Sequence, residues 1–128
     1  MSIYEFEKAV KCKSAIEDAG GVTKVRSPRA SVIVPTYHDW ARLKLCVNAL
    51  KNQTFPQEDF EVIIVNNAPE DTPPVDFSLP HNFCIIKEGK PGSYAARNAA
   101  LKLAKGEIIA FTDSDCIPDP YWLEAAVN

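Results

Sequence analysis

The sequence predicts an α/β fold, in which a mostly parallel sheet is flanked by helices. Apolar, strand-like runs alternate with segments of helical periodicity from residue 30 to residue 128. One run, FEVIIVNN at residues 60–67, contains an unbroken series of Val and Ile, which is typical of a parallel strand covered on both faces. The chain has 128 residues, of which 46% are hydrophobic, so it can bury the core of one domain.

Residues 1–29 are predicted to be an N-terminal helix and a linker, and residues 30–128 the domain itself. The helix is expected over residues 2–19, because the glycine pair at residues 20–21 is typical of a helix end. The segment GGVTKVRSPR then leads into the domain.

The first strand and the first helix of the domain are marked by a change from a continuous apolar run to helical spacing. The strand is SVIVP, at residues 31–35. Asp39 is the predicted N-cap of the helix that follows it. This helix has apolar residues at spacings of three and four, namely Leu43, Cys46, Val47 and Leu50.

A proline-rich connection separates the second strand from the third. Residues 68–82 contain four prolines and are therefore predicted to be irregular. The third strand is FCIIK at residues 83–87, and the segment EGKPG at residues 88–92 is a predicted turn.

The next helix is expected to have Ser93 as its cap and to continue to about Ala104. Gly106 is predicted to close it as a left-handed residue. A last helix is expected over residues 121–128, opened by the Asp-Pro pair at residues 119–120.

The fourth strand, EIIAFT at residues 107–112, is followed by two aspartates, Asp113 and Asp115. Carboxylates beside the end of an apolar strand must be hydrated, paired or bound to a cation. Spaced as Asp-Ser-Asp on a turn, they can supply oxygen ligands to one hard divalent cation, leaving positions for phosphate oxygens and water. A turn with solvated aspartates is the structural alternative.

Polar side chains also follow the other predicted strands, at the edge where parallel sheets bind ligands. Tyr37 can stack on a nucleotide base and Thr36 can hydrogen bond to it, while Asn66 or Asn67 can bond the edge of the base. The segment KPGSYAARN can bring backbone amides, Lys90 or Arg97 near phosphates at a helix start. Each of these residues alone also has an ordinary structural interpretation, as part of a turn, a packed loop or an ion pair.

The charge of the chain excludes one class of partner. A formal net charge of −3 and a pI near 5.4 provide no basic field for a polyphosphate backbone, so no nucleic-acid partner is predicted. No apolar run is long enough for a membrane span, and the N-terminus is acidic where a signal peptide would be basic. We expect a cytoplasmic location, with peripheral contact at the inner face of the membrane as the alternative.

Three segments of the chain together resemble a known family. SVIVPTYHDWARLKLCVNALKNQTFP, FEVIIVNNAPED and GKPGSYAARNAALKLAKGEIIAFTDSDC, in this order and spacing, look like the N-terminal half of a family 2 glycosyltransferase with the GT-A fold. The resemblance extends from about Ala30 to Asn128. It implies a Rossmann-like domain that binds a nucleotide-diphosphate sugar and is truncated after the DxD motif.

The resemblance implies a pocket for the nucleotide base. In that family the Pro-Thr-Tyr segment after the first strand lines this pocket, which corresponds to Pro35, Thr36 and Tyr37. An acidic residue after the second strand usually contacts the base, commonly uracil, and Asn66 occupies that position here. An amide can still bond a pyrimidine edge, so a UDP-linked sugar is the expected ligand.

The resemblance also implies a site for the diphosphate. The glycine of the family corresponds to Gly92, and its Ala-Arg-Asn segment corresponds to residues 96–98, which include Arg97. Its DxD motif corresponds to Asp113, Ser114 and Asp115. Asp115 is then the direct ligand of Mn²⁺ or Mg²⁺, with Asp113 supporting the metal or the ribose.

An inverting reaction follows from the same resemblance. The hydroxyl of a glycan, lipid or other acceptor attacks the anomeric carbon in one displacement, while a carboxylate base removes its proton. In the family this base lies well past the DxD motif, and the sequence ends thirteen residues after Asp115. We therefore expect no catalytic base in this chain, little transfer by the chain alone, and dimerisation through apolar surface that an acceptor half would cover.

Two other functions are compatible with parts of the sequence. Haloacid-dehalogenase-like phosphatases also have a DxD motif after an apolar strand, with the first aspartate as nucleophile. In those enzymes the motif follows the first strand, whereas here it follows the fourth predicted strand, with three strands before that one. A non-catalytic nucleotide-binding or assembly module is the second alternative.

Overall fold

The computed structural model describes residues 27–128, and four strands in this part of the chain form one parallel sheet. The strand order across the sheet is β3-β2-β1-β4. The predicted α/β class is therefore confirmed. The strands are β1 (Ala30–Thr36), β2 (Phe60–Asn66), β3 (Phe83–Lys87) and β4 (Ile108–Phe111).

Three α-helices connect or follow these strands within the described residues. They are α1 (Trp40–Lys51), α2 (Ser93–Leu101) and α3 (Trp122–Val127). None of these helices is long and apolar enough to cross a membrane. The helix predicted over residues 2–19 lies outside the described part of the chain.

The sheet is the middle layer of three, because successive residues of a strand point to opposite faces. One face packs against the apolar residues of α1, and the other packs against the alanines of α2. The central strands are buried on both sides, as the unbroken Val and Ile run predicts. On the α1 face lie Val32, Val34, Val62 and Ile64; on the α2 face lie Ile33, Ile63, Val65 and Ile86.

A hydrogen-bond network around the buried side chains of Ser31 and Glu61 joins β1, β2 and the chain entering β4 at the amino-terminal end of the sheet. The hydroxyl of Ser31 on β1 donates to Oε2 of Glu61 on β2, at 2.6 Å. The same carboxylate oxygen accepts from the backbone amide of Lys105 at 2.7 Å, and the amide of Gly106 donates to Oγ of Ser31 at 2.8 Å. The chain entering β4 is thereby joined to both β1 and β2.

Gly106 has a different role from the predicted one. It does not close α2, which ends at Leu101, and it has no positive φ. A Cβ atom at Gly106 would lie 2.6 Å from the carbonyl carbon of Ala30 and from the amide nitrogen of Ser31. Glycine is needed here because two backbone segments approach too closely for a side chain.

The three predicted helix starts agree with the structure only in part. Asp39 occupies the N-cap position of α1, but its side chain makes no capping hydrogen bond. Ser93 is the first residue of α2, and Gly92 precedes it as the N-cap with φ of 105°. The last helix begins at Trp122, two residues after the proline that was expected to open it. Capping depends on the local backbone path, which composition does not determine.

The strand registers determine what lies at the carboxyl edge of the sheet. Thr36 at the end of β1 pairs with Asn66 at the end of β2, and Asn66 pairs with Lys87. In contrast, β4 ends at Phe111 opposite Ile33, so it stops before the end of β1. The chain after β4 therefore turns away beside the last residues of β1. The strand order also changes direction between β1 and β4, because β2 and β3 follow on one side of β1 and β4 lies on the other. Open parallel sheets bind ligands at such a point.

Replacing Gly106 by alanine is expected to destabilise the fold. The added Cβ would overlap backbone atoms of β1, and such overpacking costs about 1–3 kcal/mol of unfolding free energy. Urea unfolding followed by circular dichroism measures this change.

Gly89→Ala is the matched control. Its Cβ would meet only Pro69 Cγ within 4 Å, at an ordinary contact distance of 3.8 Å. We expect the unfolding free energy of this variant to change by less than about 1 kcal/mol. Equal losses of unfolding free energy in the two variants would show that the close approach at Gly106 does not cause the destabilisation.

Candidate functional site

The end of β1 places a buried hydroxyl beside an exposed aromatic ring. Thr36 is 3% exposed, and its Oγ1 has no hydrogen-bond partner among the described residues. Tyr37, the next residue, is 65% exposed. Pro35 is buried within β1. An unpaired buried hydroxyl is costly, so the Thr36 side chain is suited to a ligand that supplies a polar atom.

Asn66, at the end of β2, holds the loop that follows it. The residue is 2% exposed. Its Nδ2 donates to the carbonyl of Asp71 at 2.9 Å, and its Oδ1 accepts from the amide of Ala68 at 3.0 Å. In this conformation both polar atoms of the Asn66 side chain are bonded to backbone of residues 68–71.

The loops after β1 and β2 are also joined to each other. His38, which has φ of 50°, lies with Nδ1 2.9 Å from Oδ2 of Asp71. The amide of Asn67 donates to the carbonyl of Thr36 at 2.9 Å. These contacts fix the loop of Asn66 beside the mouth of β1.

Asn67 connects β2 to the segment that precedes α2. Its Nδ2 donates to the carbonyls of Glu88 and Lys90, at 2.7 and 2.8 Å, and its Oδ1 accepts from the amide of Gly92 at 3.0 Å. A carboxylate at this position would face two carbonyl oxygens without a proton to donate. The amide side chain therefore determines where α2 begins, at the glycine that is expected near the diphosphate.

Arg97 lies one turn inside α2 and contacts the segment after β4. Its Nη2 donates to Oδ1 of Asp113 at 3.2 Å, and its guanidinium carbon lies 5.8 Å from the centre of the Phe111 ring. The Nε atom is buried and has no partner among the described residues. Arg97 thus provides a cation next to the first aspartate of the DxD motif.

The DxD segment forms a turn at the edge of the sheet. The amide of Cys116 donates to the carbonyl of Asp113 at 3.0 Å, and Ser114 between the aspartates is buried. Asp113, Asp115 and Cys116 are exposed, and one ligand atom from each lies within 4.8 Å of the other two. The sequence left these carboxylates to be hydrated, paired or bound to a cation. Asp113 is paired with Arg97, and the spacing of the Asp113 and Asp115 carboxylates suits a single divalent cation.

The thiols near this turn differ in their environments. Burial raises the pKa of the Cys46 thiol on α1 to about 12, with smaller contributions from Cys116 and the two aspartates. Cys116 is exposed, and its Sγ lies 3.7 Å from Oδ1 of Asp115.

The residues that follow the strands are expected at one edge of the sheet, and the structure brings Thr36, Asn66, Arg97 and Asp113 there. The sequence did not predict the role of Gln53, whose side chain connects the end of α1 to the chain beyond the DxD motif. The residues that Gln53 contacts beyond this motif are far away in the sequence, so no local sequence pattern predicts the contact. Gln53 lies outside any strand or helix, and its burial at 8% exposure is the feature that marks it.

Similar solved structures share this fold. TarS 1-349 of Staphylococcus aureus, in complex with UDP, matches with a TM-score of 0.61 and 31% identity over 77% of this chain and 30% of that chain. The same TarS portion in complex with UDP-GlcNAc matches with a TM-score of 0.59 and 32% identity, over 77% of this chain and 30% of that one. The mannosyltransferase PcManGT of Pyrobaculum calidifontis, in complex with GDP-Man and Mn²⁺, is 24% identical, with a TM-score of 0.63 over 96% of this chain and 38% of that chain. The fold is therefore that of the GT-A glycosyltransferases.

The family follows from the sequence match. The model of glycosyl transferase family 2 matches residues 31–128, and the chain belongs to this family. Among curated relatives, the glycosyltransferase AglE of Haloferax volcanii is 38% identical over 106 residues. This match covers 79% of the chain but 35% of AglE, so the chain spans about a third of the length of that relative. The resemblance described from the motifs is confirmed.

The two thiols are expected to differ in reactivity towards iodoacetamide. At pH 8 a thiol with a pKa near 12 is ionised to roughly one part in ten thousand, and Cys46 is also buried. Peptide mass mapping of the folded chain should find Cys116 alkylated and Cys46 intact, with both alkylated in urea. Equal labelling of both in the folded chain would contradict the packing of α1 beneath this turn.

Proposed function

We propose that this chain binds the nucleotide-diphosphate sugar of a family 2 glycosyl transfer, at the edge of the sheet between β1 and β4. The observation that carries the proposal is the placement of Asp113 and Asp115 at the point where the sheet reverses its winding, next to the end of β1. Family membership supports the reaction class.

The base is proposed to bind at the mouth of β1. The buried Oγ1 of Thr36 has no partner among residues 27–128, and the exposed ring of Tyr37 offers a stacking face. The loop of Asn66 forms the opposite side of this mouth, held by its own side-chain amide. The TarS structures with UDP and UDP-GlcNAc support a uracil nucleotide as the ligand.

The diphosphate is proposed to lie between the start of α2 and the DxD turn, with a divalent cation. Asp115 and Asp113 would hold Mn²⁺ or Mg²⁺ through carboxylate oxygens, which these hard cations prefer. Such a cation neutralises negative charge on the departing nucleoside diphosphate. Arg97, beside Asp113, orients that carboxylate and adds a fixed positive charge next to the phosphates.

The transfer itself is proposed to be an inverting displacement, in which a carboxylate base removes the proton of the acceptor hydroxyl. Two carboxylates follow Asp115 in the described chain. Asp119 accepts a hydrogen bond from the amide of Tyr121 at 2.8 Å, and Glu124 is exposed on α3. The resemblance to the family places the base well past the DxD motif, so we propose that it lies outside residues 27–128 and expect little transfer by these 128 residues alone.

Calorimetric titration of the chain with UDP, GDP and ADP, each with and without MnCl₂, tests the nucleotide site. We expect UDP to bind most tightly, with a dissociation constant at least about tenfold lower when Mn²⁺ is present, because a cation held by Asp113 and Asp115 would attract the negative diphosphate. A preference for GDP or ADP would refute the uracil assignment. No binding of any of the three would refute the proposed function of this chain.

Asp115→Ala is expected to remove most of the effect of Mn²⁺ on UDP affinity, a loss of about 10–100-fold. Because Asp115 is exposed, the free energy of unfolding should change by less than about 0.5 kcal/mol. Asp76→Ala is the control, since it removes an exposed carboxylate whose side chain contacts Lys44 at 3.5 Å. A manganese effect of the same size in Asp115→Ala and in the unmodified chain would refute the metal assignment.

A further inference from the structure

Gln53 joins the end of α1 to the chain that follows the DxD turn. The residue is 8% exposed. Its Nε2 donates to the carbonyl of Asp119 at 2.7 Å and to the carbonyl of Ala49 at 3.2 Å. Its Oε1 accepts from the amide of Leu123 at 2.9 Å. One side chain thus satisfies backbone groups of α1, of the loop after β4 and of α3.

The loop from residue 112 to residue 121 is held at its two ends. At the near end the amide of Thr112 donates to the carbonyl of Ile33, at 3.2 Å. At the far end Gln53 bonds to Asp119, and the amide of Thr54 donates to the carbonyl of Pro120, at 2.9 Å. The two carboxylates of the DxD motif lie between these ends, so the path of the loop between them determines where the carboxylates point.

We infer that Gln53 is a positioning residue for the metal-binding carboxylates, an inference that depends on the proposed function. Its amide fixes the far end of the loop, so that Asp113 and Asp115 face one small volume. An amide suits this place because it donates to one backbone carbonyl and accepts from one backbone amide at the same time. Groups that orient metal ligands without touching the metal commonly change metal affinity by about 10–100-fold.

Gln57 provides a matched control near the same helix end. Its Nε2 donates to the carbonyls of Leu50 and Lys51, at 3.4 and 3.1 Å. Both of these bonds end on α1 itself, so they stabilise its carboxyl end, as the bond from Gln53 to Ala49 does. Replacing Gln57 should therefore lower stability without changing metal affinity.

The test compares Gln53→Met, Gln53→Glu and Gln57→Met with the unmodified chain. Methionine retains the length of the side chain but no strong donor or acceptor, while glutamate retains the acceptor for Leu123 and loses the donations to Asp119 and Ala49. Electron paramagnetic resonance of free Mn²⁺ measures the affinity for the metal alone. Calorimetry then measures UDP affinity with and without Mn²⁺, and thermal unfolding reports stability.

We expect Gln53→Met to bind Mn²⁺ about tenfold or more weakly and to lose the same factor in the manganese enhancement of UDP binding. UDP affinity without metal should stay within about twofold, because the mouth of β1 is unchanged. Gln53→Glu should not rescue the affinity, since a carboxylate cannot donate to the carbonyl of Asp119. Gln57→Met should retain the metal affinity of the unmodified chain.

The outcomes separate this inference from the proposed function. If the unmodified chain binds Mn²⁺ but selects no nucleotide, the proposed function fails, and metal affinity of the Gln53 variants still tests the inference. Equal Mn²⁺ affinity in Gln53→Met and Gln57→Met overturns it, as does an unmodified chain that binds no Mn²⁺.

A measurement on the unmodified chain covers the case in which the Gln53 variants do not fold. In nuclear magnetic resonance spectra, the side-chain amide signals of Gln53 should shift when MgCl₂ is titrated in, because the loop it holds binds the cation. Those of Gln57 should not shift. Shifts at neither residue, with the Asp115 amide shifting, would overturn the inference.

Discussion

The close approach of the chain entering β4 to the start of β1 is the constraint on which the rest of the structure depends. Gly106 has no side chain, so its backbone reaches Ser31, and Glu61 completes the network from β2. These bonds lie at the amino-terminal end of the sheet, away from the candidate site. They fix how the strands are aligned at this end of the sheet. Through the strand register, this alignment also determines where each strand ends at the carboxyl edge, where Thr36 and the DxD turn lie.

Much of the fold can be predicted from the sequence, because strands buried on both faces have continuous apolar runs and helices have a different period. The four strands and α1 follow from these patterns. The roles of Asp39, Ser93 and Gly106 do not, since a cap or a close approach depends on a few atoms. Gly106 resembles a helix-closing glycine locally, and only its contact with Ser31, 75 residues away, shows its role.

The candidate site can be predicted in position but not in its contacts. Parallel strands bring their carboxyl ends to one edge, so residues that follow different strands are expected to meet there. The pairing of Arg97 with Asp113, and the bonds of Gln53 to Asp119 and Leu123, join residues far apart in sequence. The contacts of Asn66 could not be predicted either, because its side-chain amide bonds the backbone of its own loop in this conformation. Side-chain amides, at Gln53, Asn66 and Asn67, hold loops after three of the strands.

A crystal structure of the chain grown with UDP and MnCl₂, with diffraction data collected at the manganese absorption edge, would locate the donor site and its metal together. We expect one anomalous peak within about 2.0–2.6 Å of a carboxylate oxygen of Asp115, the range for hard cations and oxygen. The diphosphate should lie on the other side of that peak, and the uracil should lie at Thr36 and Tyr37. UDP bound at another edge of the sheet, or manganese on carboxylates other than Asp113 and Asp115, would contradict the proposed donor site.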